Sequence, residues 1–381
     1  MRPAALIQFV IALCLLPASP AVAAPPAVPG PVTLRIATFN LNDVRTADLR
    51  DPAHPRLRRL AEVIQRLRPN ILLLNEIAYD QPGAPDCIDS EPPGLNAQRF
   101  VDAFLAREQV PGLPPIRYRA FMAPVNTGAP SGFDLDNDGR IVSSYPRPAA
   151  QGPDGSPAPP SDDARAYAAD CWGFGTFPGQ YAMALLVDER LVIDTPNVRT
   201  FRTLPWDYMP GALLPTLPDS EHPWFSDDEL RLVRLSSKSH WDVPVILPNG
   251  ARLHLLCSHP TPPAFDGPEK RNARRNRDEI RFWIDYIENE AYIVDDRNAP
   301  GGLADFDPFV ILGDLNADPD EGSAWKNPVG TLLLSSPHVL GSFVPISELP
   351  VAGLDPDDTA AFGLRVDYVL PSSDLRIVTG G

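Results

Sequence analysis

The sequence predicts an α/β domain with mixed sheets, and three observations carry that prediction. Strand-like and helix-like patterns alternate through the first third. Residues 241–259, "WDVPVILPNGARLHLLCSH", place an Asn-Gly turn between two strand-like runs, and buried strand-like runs return near the end in "FVILGD" and "LRVDYVL". A hairpin among βαβ units requires antiparallel as well as parallel pairing, so a purely parallel doubly wound sheet is disfavoured.

The elements follow in order. Residues 33–39 alternate and are β-branched, which predicts a strand. Leu57, Leu60, Ile64 and Leu67 recur at helical spacing until Pro69 stops them. "NILLLNE" reads as a buried strand with a polar end, "NAQRFVDAFLARE" as a helix, and "RYRAFMA" and "QYAMALLV" as further strands. Two stretches rich in Pro, Gly, Asp and Ser, residues 123–179 and 204–228, read as long loops, which in a compact domain are functional or mobile. Residues 268–290 form a charged amphipathic helix pattern.

The chain has 381 residues, 44% of them hydrophobic, and no internal repeat, which favours one large domain over residues 33–381. Residues 1–23 carry an early Arg, a short apolar run and a small-x-small end, the pattern of a cleaved secretory signal; residues 24–32 are a Pro-rich lead. The expectation is a secreted or periplasmic monomer with no stable membrane span. Cys87 and Cys171 lie in polar loop contexts and could pair in an oxidising compartment, whereas Cys257 sits in a strand-like run. A net charge of −16 disfavours a surface that tracks extended duplex DNA, since phosphate neutralisation needs clustered Lys and Arg.

Four strand-like runs end in polar groups: Asn40 and Asn42 after "RIATF", Glu76 after "ILLLN", His259 after "LHLLCS", and Asp314 with Asn316 after "VILG". Each alone has a structural explanation as a turn, a cap or a satisfied loop side chain. Their coincidence points to one edge of a rigid sheet that gathers polar groups. Carboxylates and amides bind hard cations such as Mg²⁺ through oxygen. Glu76 would serve the metal, Asp314 the water, and Asn40, Asn316 and His259 the developing phosphorane charge, which is the inventory of a phosphoester hydrolase.

Taken in order, "ATFNLN", "LLLNEI", "LLCSHPTPP", "VILGDLNADPD" and "LRVDYVLPSSDL" resemble the endonuclease/exonuclease/phosphatase superfamily over residues 34–375, with "GDLNADP" the most specific piece. The resemblance implies a four-layer αββα sandwich of two mixed sheets flanked by helices. It implies Mg²⁺ or Mn²⁺ held mainly by Glu76, with Asn40 beside metal and phosphate and Asn42 near the metal. It further implies a phosphate-donating role for His259, water orientation and a phosphate-oxygen contact for Asp314 and Asn316, and for Asp367 a hydrogen bond to a second catalytic histidine. In the family that histidine lies in a Ser-Asp-His strand after the Asp367 segment, and no such motif follows here. The fold is therefore expected without its last strand and the activity impaired, with truncation of a longer enzyme favoured. A catalytically inactive secreted binding module with the same fold is the alternative.

Two further features are specific. Asp134, Asp136 and Asp138 precede Gly139 as in the first half of a calcium loop, but the twelfth position is Tyr145, so an EF-hand is excluded and an irregular Ca²⁺ site or a solvated acidic loop is left. Arg271, Arg274, Arg275 and Arg277 form a basic cluster shortly after His259. Arg271 and Arg274 are candidates for binding an anionic substrate, against a solvent face balanced by Glu269, Asp278 and Glu279. The expected substrate is a phosphorylated small molecule or an exposed phosphodiester.

Overall fold

The computed structural model describes residues 30–152, 155–304 and 307–380. The expected signal sequence, residues 1–23, and most of the Pro-rich lead lie outside the described residues. Among the described residues ten strands form: β1 (Ile36–Val44), β2 (Ile71–Ile77), β3 (Tyr118–Phe121), β4 (Met183–Asp188), β5 (Val192–Ile193), β6 (Arg199–Thr200), β7 (His240–Ile246), β8 (Arg252–Ser258), β9 (Phe309–Asp314) and β10 (Asp367–Pro371). Six α-helices accompany them among the same residues: α1 (Thr46–Arg50), α2 (Pro55–Leu67), α3 (Asn96–Phe100), α4 (Asp162–Ala169), α5 (Asp227–Leu230) and α6 (Arg271–Ile287).

Both sheets are mixed, as the hairpin and the βαβ opening require. The first runs β1-β2-β4-β3, with β1 and β2 parallel and the other pairs antiparallel. The second runs β10-β9-β8-β7-β5, with β6 also on β7; its one parallel pair is β8 with β9.

The period-2 alternation of the strands sorts side chains into three packed layers. Leu73 and Leu185 of the first sheet meet Trp241, Leu255 and Leu312 of the second between the sheets. Leu72, Leu74 and Leu186 point the other way, onto Leu57, Ala61 and Ile64 of α2 and onto Phe100. Leu256 and Ile311 point outward from the second sheet onto Ile280, Trp283 and Tyr286 of α6. The result is the helix–sheet–sheet–helix sandwich, and each fully buried Leu or Ile in it contributes roughly 1.5–3 kcal/mol.

Several boundaries differ from the sequence pattern for local reasons. β1 continues to Val44, but its register breaks between Asn40 and Val44 where Asn42 and Asp43 turn to positive φ. The predicted helix after residue 95 is α for one turn only and continues as a π-helix over Val101–Leu105. α6 begins at Arg271, where the Asp266 carboxylate accepts from the Asn272 and Ala273 amides and satisfies its first turn. The β7–β8 connection is wider than an Asn-Gly two-residue turn, since the last strand pair is Ile246 with Arg252. The first long loop contains α4, capped by Ser161 Oγ accepting from Ala164 N. Cys87, Cys171 and Cys257 are unpaired thiols.

Candidate functional site

The site forms where the ends of β1 and β2 in one sheet meet the ends of β8 and β9 in the other. Asn40 Oδ1 accepts from Asn42 N at 2.8 Å, which turns its amide nitrogen outward. That nitrogen donates to Glu76 Oε1 at 3.1 Å and to Asp314 Oδ2 at 2.9 Å. One amide thus joins carboxylates from two different sheets. Asp43 N donates to Glu76 Oε2 at 3.1 Å, so both oxygens of Glu76 are held. Asn75 Oδ1 accepts from Thr38 Oγ1 at 3.1 Å and from Asp314 N at 3.3 Å, a second link between the sheets.

His259 is 3% exposed, and its Nε2 lies 3.8 Å from Asp314 Oδ2. Gly313 explains this closeness: a Cβ there would sit 1.9 Å from Ser258 O, so the ends of β8 and β9 approach as only glycine allows. Asp314 Oδ1 accepts from Asn316 N at 2.9 Å, and Asn316 Nδ2 donates to Pro260 O at 3.1 Å. Asp367 lies opposite Asp314 in the β9–β10 register. Its Oδ1 is sealed from solvent with no hydrogen-bond partner among the described residues.

Burial dominates the electrostatics. It raises the pKa of Glu76 and of Asp314, with the Asn40 amide opposing in both cases. It pushes Asp367 up to about 8, with the Asp314 charge adding to the effect. Burial, then the nearby Lys238 charge, holds the His259 imidazole far below its usual pKa and therefore neutral.

The edge supplies carboxylate oxygens from Glu76 and Asp314, whose pKa values are raised by burial despite the Asn40 amide that donates to both. It does not form a closed cage: among the described residues, the one group of three acidic or imidazole ligand atoms within 4.8 Å of one another is Asp134, Asp136 and Asp138. One or two carboxylates with room for water and phosphate is the donor set Mg²⁺ prefers, so the residues present fit such an ion.

Other predicted residues lie elsewhere. The Asn42 side chain is exposed, and Asp43 beside it is the buried acid, accepting from Arg45 and from Gln180 Nε2 at 3.1 Å. Arg271 donates to Leu135 O and lies over Trp224, while Arg274 covers Trp325 with its guanidinium 4.8 Å from the ring centre. Arg275 donates to the carbonyls of Leu235, Trp172, Arg234 and Ser236. These arginines bind loops to α6 and are not brought among the site acids. The Asp134, Asp136 and Asp138 carboxylates accept from the amides of Asp138, Gly139 and Arg140, and Tyr145 donates to Gly83 O at 2.8 Å.

Sequence reasoning passed over Asn75 and Lys238. Asn75 had a signal, a lone amide inside an apolar run before Glu76. Lys238 had none, because its partners are distant in sequence. No helix among the described residues is long and apolar enough to cross a membrane.

A structure of an endonuclease/exonuclease/phosphatase from Beutenbergia cavernae DSM 12333 is similar at 16% identity, over 89% of this chain and 64% of that one, with a TM-score of 0.44. A family protein from Leptotrichia buccalis C-1013-b matches at 12% identity, over 89% and 87%, with a TM-score of 0.42. Sphingomyelinase C from Streptomyces griseocarneus matches at 14%, over 89% and 84%, with a TM-score of 0.39. A search of curated proteins finds no match. The model of the Endonuclease/Exonuclease/phosphatase family matches residues 37–381. The chain belongs to the endonuclease/exonuclease/phosphatase family.

Proposed function

We propose that this chain is a metal-dependent phosphoesterase that hydrolyses phosphate mono- or diesters by in-line attack of water. The observation that carries this reading is the Asn40 amide, which holds Glu76 of one sheet and Asp314 of the other at a single edge.

Glu76, with Asp314 beside it, would hold Mg²⁺ or Mn²⁺, and the bound ion would offset phosphate charge. Asp314, fixed by Asn40 and by Asn316 N, orients the attacking water and accepts its proton. Neutral His259 donates to a phosphate oxygen without adding a charge that must be lost later. The Asn40 amide lies beside the phosphate oxygens, and Asn316 holds the loop that carries Asp314. Asp367, with its unpartnered oxygen, stands ready to accept a hydrogen bond from a group entering the site.

The acidic charge and the use of Arg271, Arg274 and Arg275 within the fold support a small phosphorylated molecule or an exposed phosphodiester over extended duplex DNA. The N-terminal pattern supports secretion, with residues 33–381 acting as one domain. For the Asp134–Asp138 loop, calcium is the fitting ion on the chemistry of its oxygens.

Turnover of p-nitrophenyl phosphate and bis(p-nitrophenyl) phosphate with Mg²⁺ or Mn²⁺ tests the reading. Glu76→Gln should lower kcat/KM by roughly 10³-fold, about 4 kcal/mol of transition-state stabilisation. Turnover that survives both chelation and this substitution overturns it.

A further inference from the structure

Lys238 precedes β7 and is 6% exposed, a rare position for an ammonium group. Its Nζ donates to Pro260 O at 3.2 Å, the same oxygen that accepts from Asn316 Nδ2 at 3.1 Å. A single carbonyl, one residue beyond His259, therefore holds a cation and the amide of the Asp314–Asn316 loop. The lysine's own segment is fixed on both sides. Lys238 O accepts from Asn126 N, and the buried Glu279 of α6 accepts from Ser237 Oγ at 2.8 Å and from Thr261 N at 2.7 Å. Asn276, one helical turn earlier, donates to Thr261 O and Leu315 O, so α6 pins the ends of β8 and β9 together under the site.

Taking an ammonium out of water is costly unless anions repay it. Burial lowers the Lys238 pKa from its ordinary value, and the charges of Glu279, then Glu76 and Asp314, oppose it; His259 also feels the lysine's charge. The hydrogen bond that Lys238 Nζ makes goes to Pro260 O, one residue beyond His259, which places its charge beside the site.

We propose that Lys238 is a positioning residue and a built-in positive charge of the site, fixing the Pro260 carbonyl and the Asn316 amide, attracting the phosphate, and weakening cation binding at Glu76 and Asp314. This rests on the phosphoesterase reading for what the site binds, but its test does not depend on turnover. The like charge lowers the affinity for a divalent ion at the two acids while raising that for an anion.

The test uses the full chain, with Mn²⁺ binding followed by the electron paramagnetic resonance of free Mn²⁺ and inorganic phosphate binding followed by calorimetry. Lys238→Gln can still donate to Pro260 but has no charge, and Lys238→Met serves if the glutamine variant fails to fold. Glu76→Gln, measured alone and combined with each, separates Mn²⁺ held at this edge from Mn²⁺ held by the Asp134–Asp138 loop. The expected result is Mn²⁺ bound at the edge roughly tenfold more tightly and phosphate at least tenfold more weakly, with Lys238→Arg restoring both. Weaker binding of both ions, or no change in either, means that the lysine only supports the fold and overturns the proposal. Absence of phosphoesterase activity would leave these readouts intact.

Discussion

Asp367 stands directly across the β9–β10 ladder from Asp314 at one sheet edge, where Asp314 is buried and Asp367 half-buried. The pair cannot ionise independently, and burial with the Asp314 charge lifts Asp367 from 3.8 to about 8. Between those values the folded protein keeps a proton that the unfolded chain releases. Stability from this group is therefore fully present below 3.8 and is lost as pH rises through about 8. Asp367→Asn should unfold with a flatter pH dependence and be more stable than the parent at pH 8.5 in chelator, by about 2 kcal/mol. Denaturant unfolding at pH 5 and pH 8.5 measures this; a variant that is the less stable one at high pH refutes it.

Asn40 donates at once to the buried carboxylate of Asp314 and the half-buried one of Glu76. Asn40→Asp exchanges that donor for a further acid, so the metal-free protein should lose about 3 kcal/mol of stability. Mn²⁺ should recover most of the loss, since a third oxygen ligand of the same size then faces the ion. Melting temperatures with and without chelator report both effects. Equal destabilisation in the two conditions would mean that Asn40 faces no cation site.

Glu76, His259 and Asp314 were legible in the sequence because apolar strands ran straight into them, and a buried strand that ends in a polar group needs a use for it. Both mixed sheets were legible for a similar reason, through alternation and the Asn-Gly turn. The arginines of α6 misled because composition shows charge but not partners: Arg271 and Arg275 meet carbonyls of Leu135, Trp172 and residues 234–236, contacts that only the tertiary fold creates. Lys238 was invisible on the same ground, since Pro260 and Glu279 lie far along the chain. The left-handed turn after Asn40 breaks the strand's alternation, leaving Asn42 exposed and Asp43 buried, a reversal that the sequence pattern does not show. Helix α4 did carry its Ser161 capping signal, hidden by the surrounding Pro and Gly.

Gly313 sets the spacing between His259 and Asp314. With φ at +148° and Ser258 O only 1.9 Å from where a Cβ would be, Gly313→Ala must push β9 away from β8. The expected cost is roughly 2–4 kcal/mol, together with a loss of turnover larger than the loss of folded protein. Gly132→Ala is the control: φ is +81° with nothing within 4 Å, so it should cost only about 1 kcal/mol and leave turnover alone. Equal effects of the two substitutions would show that the close strand approach has no functional weight.

His254 lies near the start of β8, with the length of the strand between it and His259, so its charge can be tested apart from the site. Nδ1 lies 2.8 Å and 2.9 Å from the two Asp242 oxygens, Nε2 lies 3.3 Å from Asp307, and Tyr286 Oη donates to Asp242 at 2.6 Å. Burial alone would lower the imidazole pKa, but Asp242 and then Asp307 outweigh it and the net shift is upward. The folded state therefore binds a proton more tightly than the unfolded chain. That stability is fully present below the ordinary value of 6.5 and is lost as pH rises through the folded value. His254→Gln should be less stable than the parent by about 1–2 kcal/mol at pH 6, and the gap should narrow by pH 9. Denaturant midpoints across that range decide the matter, and a gap that widens with pH would mean that His254 is held as the neutral imidazole.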